Sequence, residues 1–210
     1  MQPWRHAKVT ARQMGAGWSD HLPVHEFMDL AKVACPDLRH RAVLHNADFG
    51  PWIASRRFPR MPEAAQIARE HVRQDLKALP TLADWLGRRS PAVPTPLVGE
   101  VDRSEILLQA AEFQGLASTD PVDAVWELLM SPVRFAGRKA KGLLLNGFGP
   151  VLVRAVLGPA REEPGASGSS VVFDPSWCAE GLIVAHCDRL PDLRESLAAI
   201  RLGGGFDDAS

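Results

Sequence analysis

Apolar and polar positions alternate with a helical period along much of the first ninety residues. Between Val24 and Ala34 the pattern predicts a helix, with Pro23 suited to its first turn. Pro36 breaks the chain, and Asp37 can cap a second helix reaching about Ala47. Gly50-Pro51 interrupts it, and a short helix from Trp52 to Arg57 follows. Glu63 to Ala78, rich in Ala, Gln, Arg and Glu and stopping before Pro80, predicts another, and Thr81 is a fitting N-cap for a last turn through Leu86. Ser90-Pro-Ala-Val-Pro-Thr-Pro carries three prolines in seven residues and reads as an extended linker. Beyond it the pattern predicts helices over 102–114 (capped by Asp102 or Ser104), 121–129 and 132–145. Short aliphatic runs at Val151–Leu157, Ser170–Phe173 and Leu182–His186 then read as strands. Glu162–Ser169 reads as a polar loop, 192–200 as a closing helix and 203–210 as a frayed tail. No internal repeat is evident. The expected fold is α+β: an N-terminal all-α helical domain (1–89), a linker (90–97), and a small α+β domain (98–210) with a short antiparallel sheet.

Charge sharpens the division. The 210 residues carry a net charge of -1, yet residues 1–90 hold 14 basic against 9 acidic side chains, and residues 91–210 hold 10 against 16. A basic half joined to an acidic half implies contact between them. No apolar run approaches the roughly 18–20 residues of a membrane span. The start Met-Gln-Pro-Trp-Arg-His is not a secretory signal, and three scattered cysteines suggest no disulfide framework. A cytoplasmic location without membrane contact is the expectation.

Six of the seven histidines (His6, His21, His25, His40, His45, His71) lie in the first third. His25 and Asp29 are four residues apart, and so are His71 and Asp75, which puts each pair on one helix face. His21 precedes His25 by the same interval. Imidazole and carboxylate are the usual ligands of zinc, iron and manganese, and facing helices can assemble them into one site. Each Asp could instead orient its own His, or the pairs could be solvated hydrogen bonds. His40 and His45 fall about 140° apart on an ideal helix, so one is expected to face inward, and His45 is preferred. A divalent metal held by His25, Asp29, His71 and Asp75, with His6 and His45 completing the set, is the leading expectation. In a hydrolytic version Glu26 or Glu70 would be the base and Lys32 would hold an anion or neutralise Asp29. The alternative is a non-catalytic interaction module binding nucleic acid or protein, its His/Asp pairs structural.

Other chemistry has weaker support. His-Glu-Phe-Met-Asp at 25–29 misses the second His of the zinc-protease helix, and no His-Asp dipeptide of the phosphohydrolase kind exists. Gly147-Phe148-Gly149 lacks the lysine of a phosphate loop, and Cys178, His186 and Cys187 make only a loose thiol set. Arg56-Arg57-Phe58-Pro59-Arg60 and Arg88-Arg89, with Trp52 and Trp85 nearby, could contact phosphates and stack on bases.

The first segment resembles a small, His-rich helical domain of unknown function from phage and bacterial genomes. The likeness is carried by His6-Ala7-Lys8, Leu22-Pro23-Val24-His25-Glu26-Phe27 with Asp29 and Lys32, and Asp37-Leu38-Arg39-His40-Arg41-Ala42 with His45. It continues through Glu70-His71-Val72 with Asp75-Leu76, Pro80-Thr81 and Asp84-Trp85, over roughly residues 4–86. The resemblance implies a helical fold with a shared set of His, Asp and Lys residues, and no activity.

Overall fold

The computed structural model describes residues 2–15, 17–87, 103–187 and 189–198. The expected linker, the Arg88-Arg89 pair, the Asp102 cap and the 203–210 tail lie outside the described residues.

The first half is helical throughout. α1 (Pro3–Met14) opens with proline in its first turn and closes on Gly15 in the left-handed region, φ 77°. His6 therefore stands on a helix. α2 (Trp18–Met28) starts five residues before Pro23. A proline at that depth removes its own intrahelical hydrogen bond and crowds the carbonyl one turn back. Packing holds the upstream turn, with Lys8 of α1 lying 4.8 and 5.5 Å from the ring centroids of Trp4 and Trp18. A 3-10 turn (Leu30–Val33) follows. The helix expected over 37–47 is a 3-10 turn, Leu38–His40, running into α3 (Arg41–Leu44).

Next come α4 (Phe49–Arg57), α5 (Ala64–Leu76) and α6 (Leu82–Leu86). Asn46 connects α3 to α4. Its Nδ2 donates to the carbonyl of Val43 at 3.2 Å, and its Oδ1 accepts from the Gly50 N–H at 2.7 Å. A capping box between Thr81 and Asp84 starts α6, where both residues satisfy free N–H groups of the first turn.

The second half is more helical than its sequence pattern suggests. α7 (Arg103–Phe113), α8 (Asp120–Met130) and α9 (Val133–Ala136) lead into a 3-10 stretch, Gly137–Leu143. The run 151–157, expected as a strand, belongs to α10 (Phe148–Leu157), and 182–186 belongs to α11 (Pro175–Cys187). β-branched residues favour strands only weakly, and tertiary packing overrides that preference. In α11 the buried residues Cys178, Ala179, Leu182, Ile183 and Cys187 form a helical stripe that a five-residue window is too short to reveal.

The strand expected at 170–173 is present. β1 (Arg161–Pro164) and β2 (Ser170–Phe173) form an antiparallel hairpin in which Arg161 faces Phe173 and Pro164 faces Ser170. α12 (Leu193–Leu197), capped by Asp192, closes the described fold. The α+β class holds, with a helical N-terminal part and one small sheet. No helix among the described residues is long and apolar enough to cross a membrane.

The halves meet through α4 and α10 and through aromatic packing. Phe135 lies 5.7 Å from Phe49 and 5.6 Å from Trp52, centroid to centroid. Lys139 donates to the carbonyls of Ala83 and Gly87 at 3.4 and 2.7 Å. The contacts described between the halves are thus aromatic packing, lysine-to-carbonyl hydrogen bonds and the Arg134 guanidinium over the Trp52 ring.

Candidate metal centre

Six side chains from four segments converge between α1, α2 and α5. His6 comes from α1 and His25 from α2. Asp29 follows the last turn of α2, and His45 ends α3. His71 and Asp75 sit four apart on α5, both turned into the core. All four imidazoles are fully buried, and Asp29 and Asp75 are only 9% and 7% exposed.

His45, His71, Asp29 and Asp75 turn one donor atom each toward a common point, all four within 4.8 Å of one another. His45 Nε2 and His71 Nε2 are 3.0 Å apart. Asp75 Oδ2 lies 3.2 Å from the first and 3.8 Å from the second, and Asp29 Oδ1 lies 3.6 Å from both. In a tetrahedral site with bonds of about 2.0–2.1 Å, donors sit roughly 3.3–3.4 Å apart. Five of the six spacings, from 3.0 to 3.8 Å, fall around that value, and the two carboxylate oxygens lie within 4.8 Å of each other, so the donor set is compatible with a small divalent ion.

His25 and His6 stand one step behind. His25 Nδ1 is 2.9 Å from His71 Nδ1, the ring nitrogen that faces away from the common point. His6 Nε2 is 3.0 Å from Asp75 Oδ1, the oxygen not shared with His45. His6 Nδ1 in turn meets Gln74 Oε1 at 2.8 Å, and Gln74 Nε2 donates to Thr10 Oγ1 at 2.9 Å. Partners of this kind set the tautomer and orientation of a ligating ring. The sequence reading missed Gln74 and Thr10, because a Gln or Thr on an amphipathic helix looks like an ordinary surface residue until α1 is laid against α5. It also missed the Trp85 indole, which donates to the backbone carbonyl of His45 at 2.7 Å and anchors the turn carrying that ring.

Electrostatics separates the imidazoles from the carboxylates. Burial, then the charges of His71, His6 and His21, pushes His25 from its ordinary 6.5 down to about 3. Burial is also the main cause that takes His71 to about 4 and lowers His45 and His40. For Asp29 burial acts upward, but the hydrogen bond and charge of His71, with Lys32, outweigh it and hold the carboxyl well below the usual range. Asp75 behaves alike, held down against burial by His45 and His6. His25, His45 and His71 are thus kept neutral and the two carboxylates ionised, the protonation states that metal ligands require.

The remaining site candidates lie at the edge or outside. Lys32 Nζ is 2.5 Å from Asp29 Oδ1, with its side chain 36% exposed, and Arg41 is 3.9 Å from Asp75. Glu26 is exposed, and Glu70 pairs with Arg73 one turn along α5. Each is one residue from an inward His, a rotation of about 100° that carries it off the inner face. The structure therefore places neither expected base among the converging groups.

His40 is buried as well as His45, against the expectation that only one would be. The ideal-helix angle does not apply, because His40 ends a 3-10 turn and the chain leaves α3 at His45, ψ 64°. The His40 ring packs edge-on to His45 at 5.7 Å, and its Nδ1 meets the Asp37 carbonyl at 2.5 Å. His21 is buried with no protein hydrogen-bond partner at either nitrogen. In the second half, burial pushes the Cys178 thiol up to about 12 and raises Cys187, which opposes thiolate chemistry. Of the aromatic rings expected to stack on bases, Trp52 has the Arg56 and Arg134 guanidinium carbons 4.6 and 6.0 Å from its centroid. Trp85 is tied to His45 as described.

No curated protein and no solved structure matches the chain. Residues 1–93, which contain all six converging groups, match the family model described as Domain of unknown function (DUF6915).

Proposed function

We propose that the first half is a metal-binding helical domain in which His45, His71, Asp29 and Asp75 hold one divalent ion, zinc, iron or manganese. His25 and His6 orient His71 and Asp75. The observation that carries this reading is the convergence of one donor atom from each of four buried residues, all within 4.8 Å of one another. Two carboxylates balance the charge of such an ion. Four protein ligands with little exposure describe a closed centre, the arrangement of structural metal sites, whereas catalytic sites keep a position open. The ion then ties α2, α3 and α5 together and replaces costly contacts between buried polar groups.

A hydrolytic version has one observation in its favour. Lys32 pulls on Asp29 at the exposed edge, and release of Asp29 would leave three protein ligands and an open position where the ion lowers the pKa of water. The interaction-module alternative is weakened by Trp52 and Trp85, whose rings are engaged within the fold.

Metal analysis of the purified full chain tests the reading. About one ion per chain is expected, lost on His45→Ala and on His71→Ala. A metal present at a thousand times its Kd adds roughly 4 kcal/mol. For a chain of this size a strong chelator is then expected to lower Tm by about 8–16 °C. A metal-free protein whose Tm is unmoved by zinc or chelator contradicts the proposal.

A further inference from the structure

Helix for helix, the second half follows the first. Gly15 after α1 and Gly115 after α7 both take positive φ, 77° and 69°. In α2 the buried residues are His21, Val24, His25, Phe27 and Met28. In α8 they are Val122, Val125, Trp126, Leu128 and Leu129, the same pattern 101 positions on. In α5, Ala64, Ile67, Ala68, His71, Val72 and Leu76 correspond to Pro175, Cys178, Ala179, Leu182, Ile183 and Cys187 of α11, all 111 positions apart.

The connections agree in detail. Asn46 donates to the carbonyls of Ala42 and Val43, and Asn146 donates to those of Gly142 and Leu143. A Cβ on Gly50 would fall 1.9 Å from the Leu44 carbonyl oxygen, and one on Gly149 would fall 2.1 Å from that of Leu144. Ala47 N–H donates to Pro80 O at 2.6 Å, and Gly147 N–H donates to Pro191 O at 2.7 Å. Leu79-Pro80-Thr81-Leu82 then leads into α6 as Leu190-Pro191-Asp192-Leu193 leads into α12. The β1–β2 hairpin stands where the first half has the short connection from α4 to α5.

The packing between the halves is reciprocal. α4 lies on α10, its own counterpart. α6 meets α9 and Lys139, while α12 meets the Leu38–His40 turn. Self-complementary contact of that kind is the mark of a two-fold interface.

We infer that the chain is two copies of one helical fold packed about an approximate two-fold axis, and that the second copy carries the same site with its ligands replaced by apolar side chains. His6, His25, Asp29, His45, His71 and Asp75 correspond to Ile106, Trp126, Met130, Leu145, Leu182 and His186. Only His186 retains a donor, and its ring packs edge-on against Trp126 at 5.7 Å. The replacement reaches the outlying partners too. Thr10 and Gln74, which link α1 to α5, become Ala110 and Ala185. Where that ladder would stand, a cavity of about 520 Å³ opens between α7 and α11, lined by Ile106, Ala110, Gly181, Leu182 and Ala185 among others. The protein therefore holds one metal per chain and not two. The stoichiometry rests on the metal reading of the first half, whereas the repeat does not.

Two measurements on the full chain test this. A crystal structure is expected to superpose 3–87 on 103–198 with Asn46 on Asn146, Gly50 on Gly149 and Pro80 on Pro191. A best superposition in any other register overturns the repeat. The variant Met130→Asp/Leu145→His/Leu182→His/His186→Asp, titrated with zinc, is expected to bind two ions where the unmodified chain binds one. A folded variant that stays at one overturns the site correspondence. If the unmodified chain binds no zinc, the metal reading fails and the superposition still decides the repeat; it also decides if the variant does not fold.

Discussion

The His25 and His71 rings are buried away from water, so protonating either of them is costly. His25 and His71 titrate near 6.5 in the unfolded chain but near 3 and 4 when folded. Between those limits the unfolded state binds more protons, so stability is full above about pH 6.5 and is lost as pH falls toward 4. The carboxylates of Asp29 and Asp75, depressed on folding, add a further loss only below their unfolded value of 3.8. In chelator, Tm is expected to fall steadily from pH 7 to pH 4, and His25→Leu is expected to flatten part of that slope. A profile level across the window in the unmodified chain would show that these rings are not held neutral. Asp75→Asn keeps the shape but removes a charge that His45 and His6 both address. The variant is expected to weaken metal binding at least tenfold, in keeping with the roughly 10–100-fold typical even of residues behind the ligands.

At the scale of elements, the connection from α3 to α4 carries much of the geometry. It delivers His45 inward while Asn46 closes the chain onto Gly50. Gly50→Ala drives a methyl into the Leu44 carbonyl, a backbone atom that cannot yield, and is expected to cost about 3 kcal/mol or more. Asn46→Ala leaves buried backbone groups unpaired and is expected to cost about 1–3 kcal/mol. Urea denaturation checks both, and losses under about 0.5 kcal/mol would mean that the turn tolerates rearrangement.

Several elements and much of the converging His and Asp set were legible in the sequence because the relevant spacing is local. The four-residue intervals of His25–Asp29 and His71–Asp75 need only a helix to place them on one face. The cap at Thr81 and the stop before Pro80 are equally local. The strands assigned to 151–157 and 182–186 were not, because valine and isoleucine runs are ambiguous until a helical partner such as α10 or α11 buries one stripe. Nor could spacing rank His25 behind His71, since that order depends on how α2 leans against α5. The repeat escaped notice because the histidine-rich positions that dominate the first half are the ones replaced in the second. What survives is Asn-x-x-Phe-Gly-Pro against Asn-x-Phe-Gly-Pro, and Leu-Pro-x-Leu twice.

For the whole molecule, the proposed metal site lies in one half, and the junction with the other includes Phe135 packed against Phe49 and Trp52. Coupling across that junction implies one cooperative unfolding transition that zinc raises as a unit. Phe135→Ala is expected to cost about 2–3 kcal/mol, below the roughly 3–5 of a fully buried phenylalanine, and to separate the transition into a zinc-sensitive and a zinc-insensitive part. Calorimetry reads both outcomes. A single transition with unchanged Tm in the variant would show that the halves are joined elsewhere.

The centre itself is open to direct sight by anomalous diffraction at the zinc edge from crystals of the full chain grown with equimolar zinc. One strong peak per chain is expected, enclosed by His45 Nε2, His71 Nε2, Asp29 Oδ1 and Asp75 Oδ2, with no peak beside Leu145 and Leu182. Crystals with the four donors ordered and no peak among them, even after a zinc soak, would contradict the account.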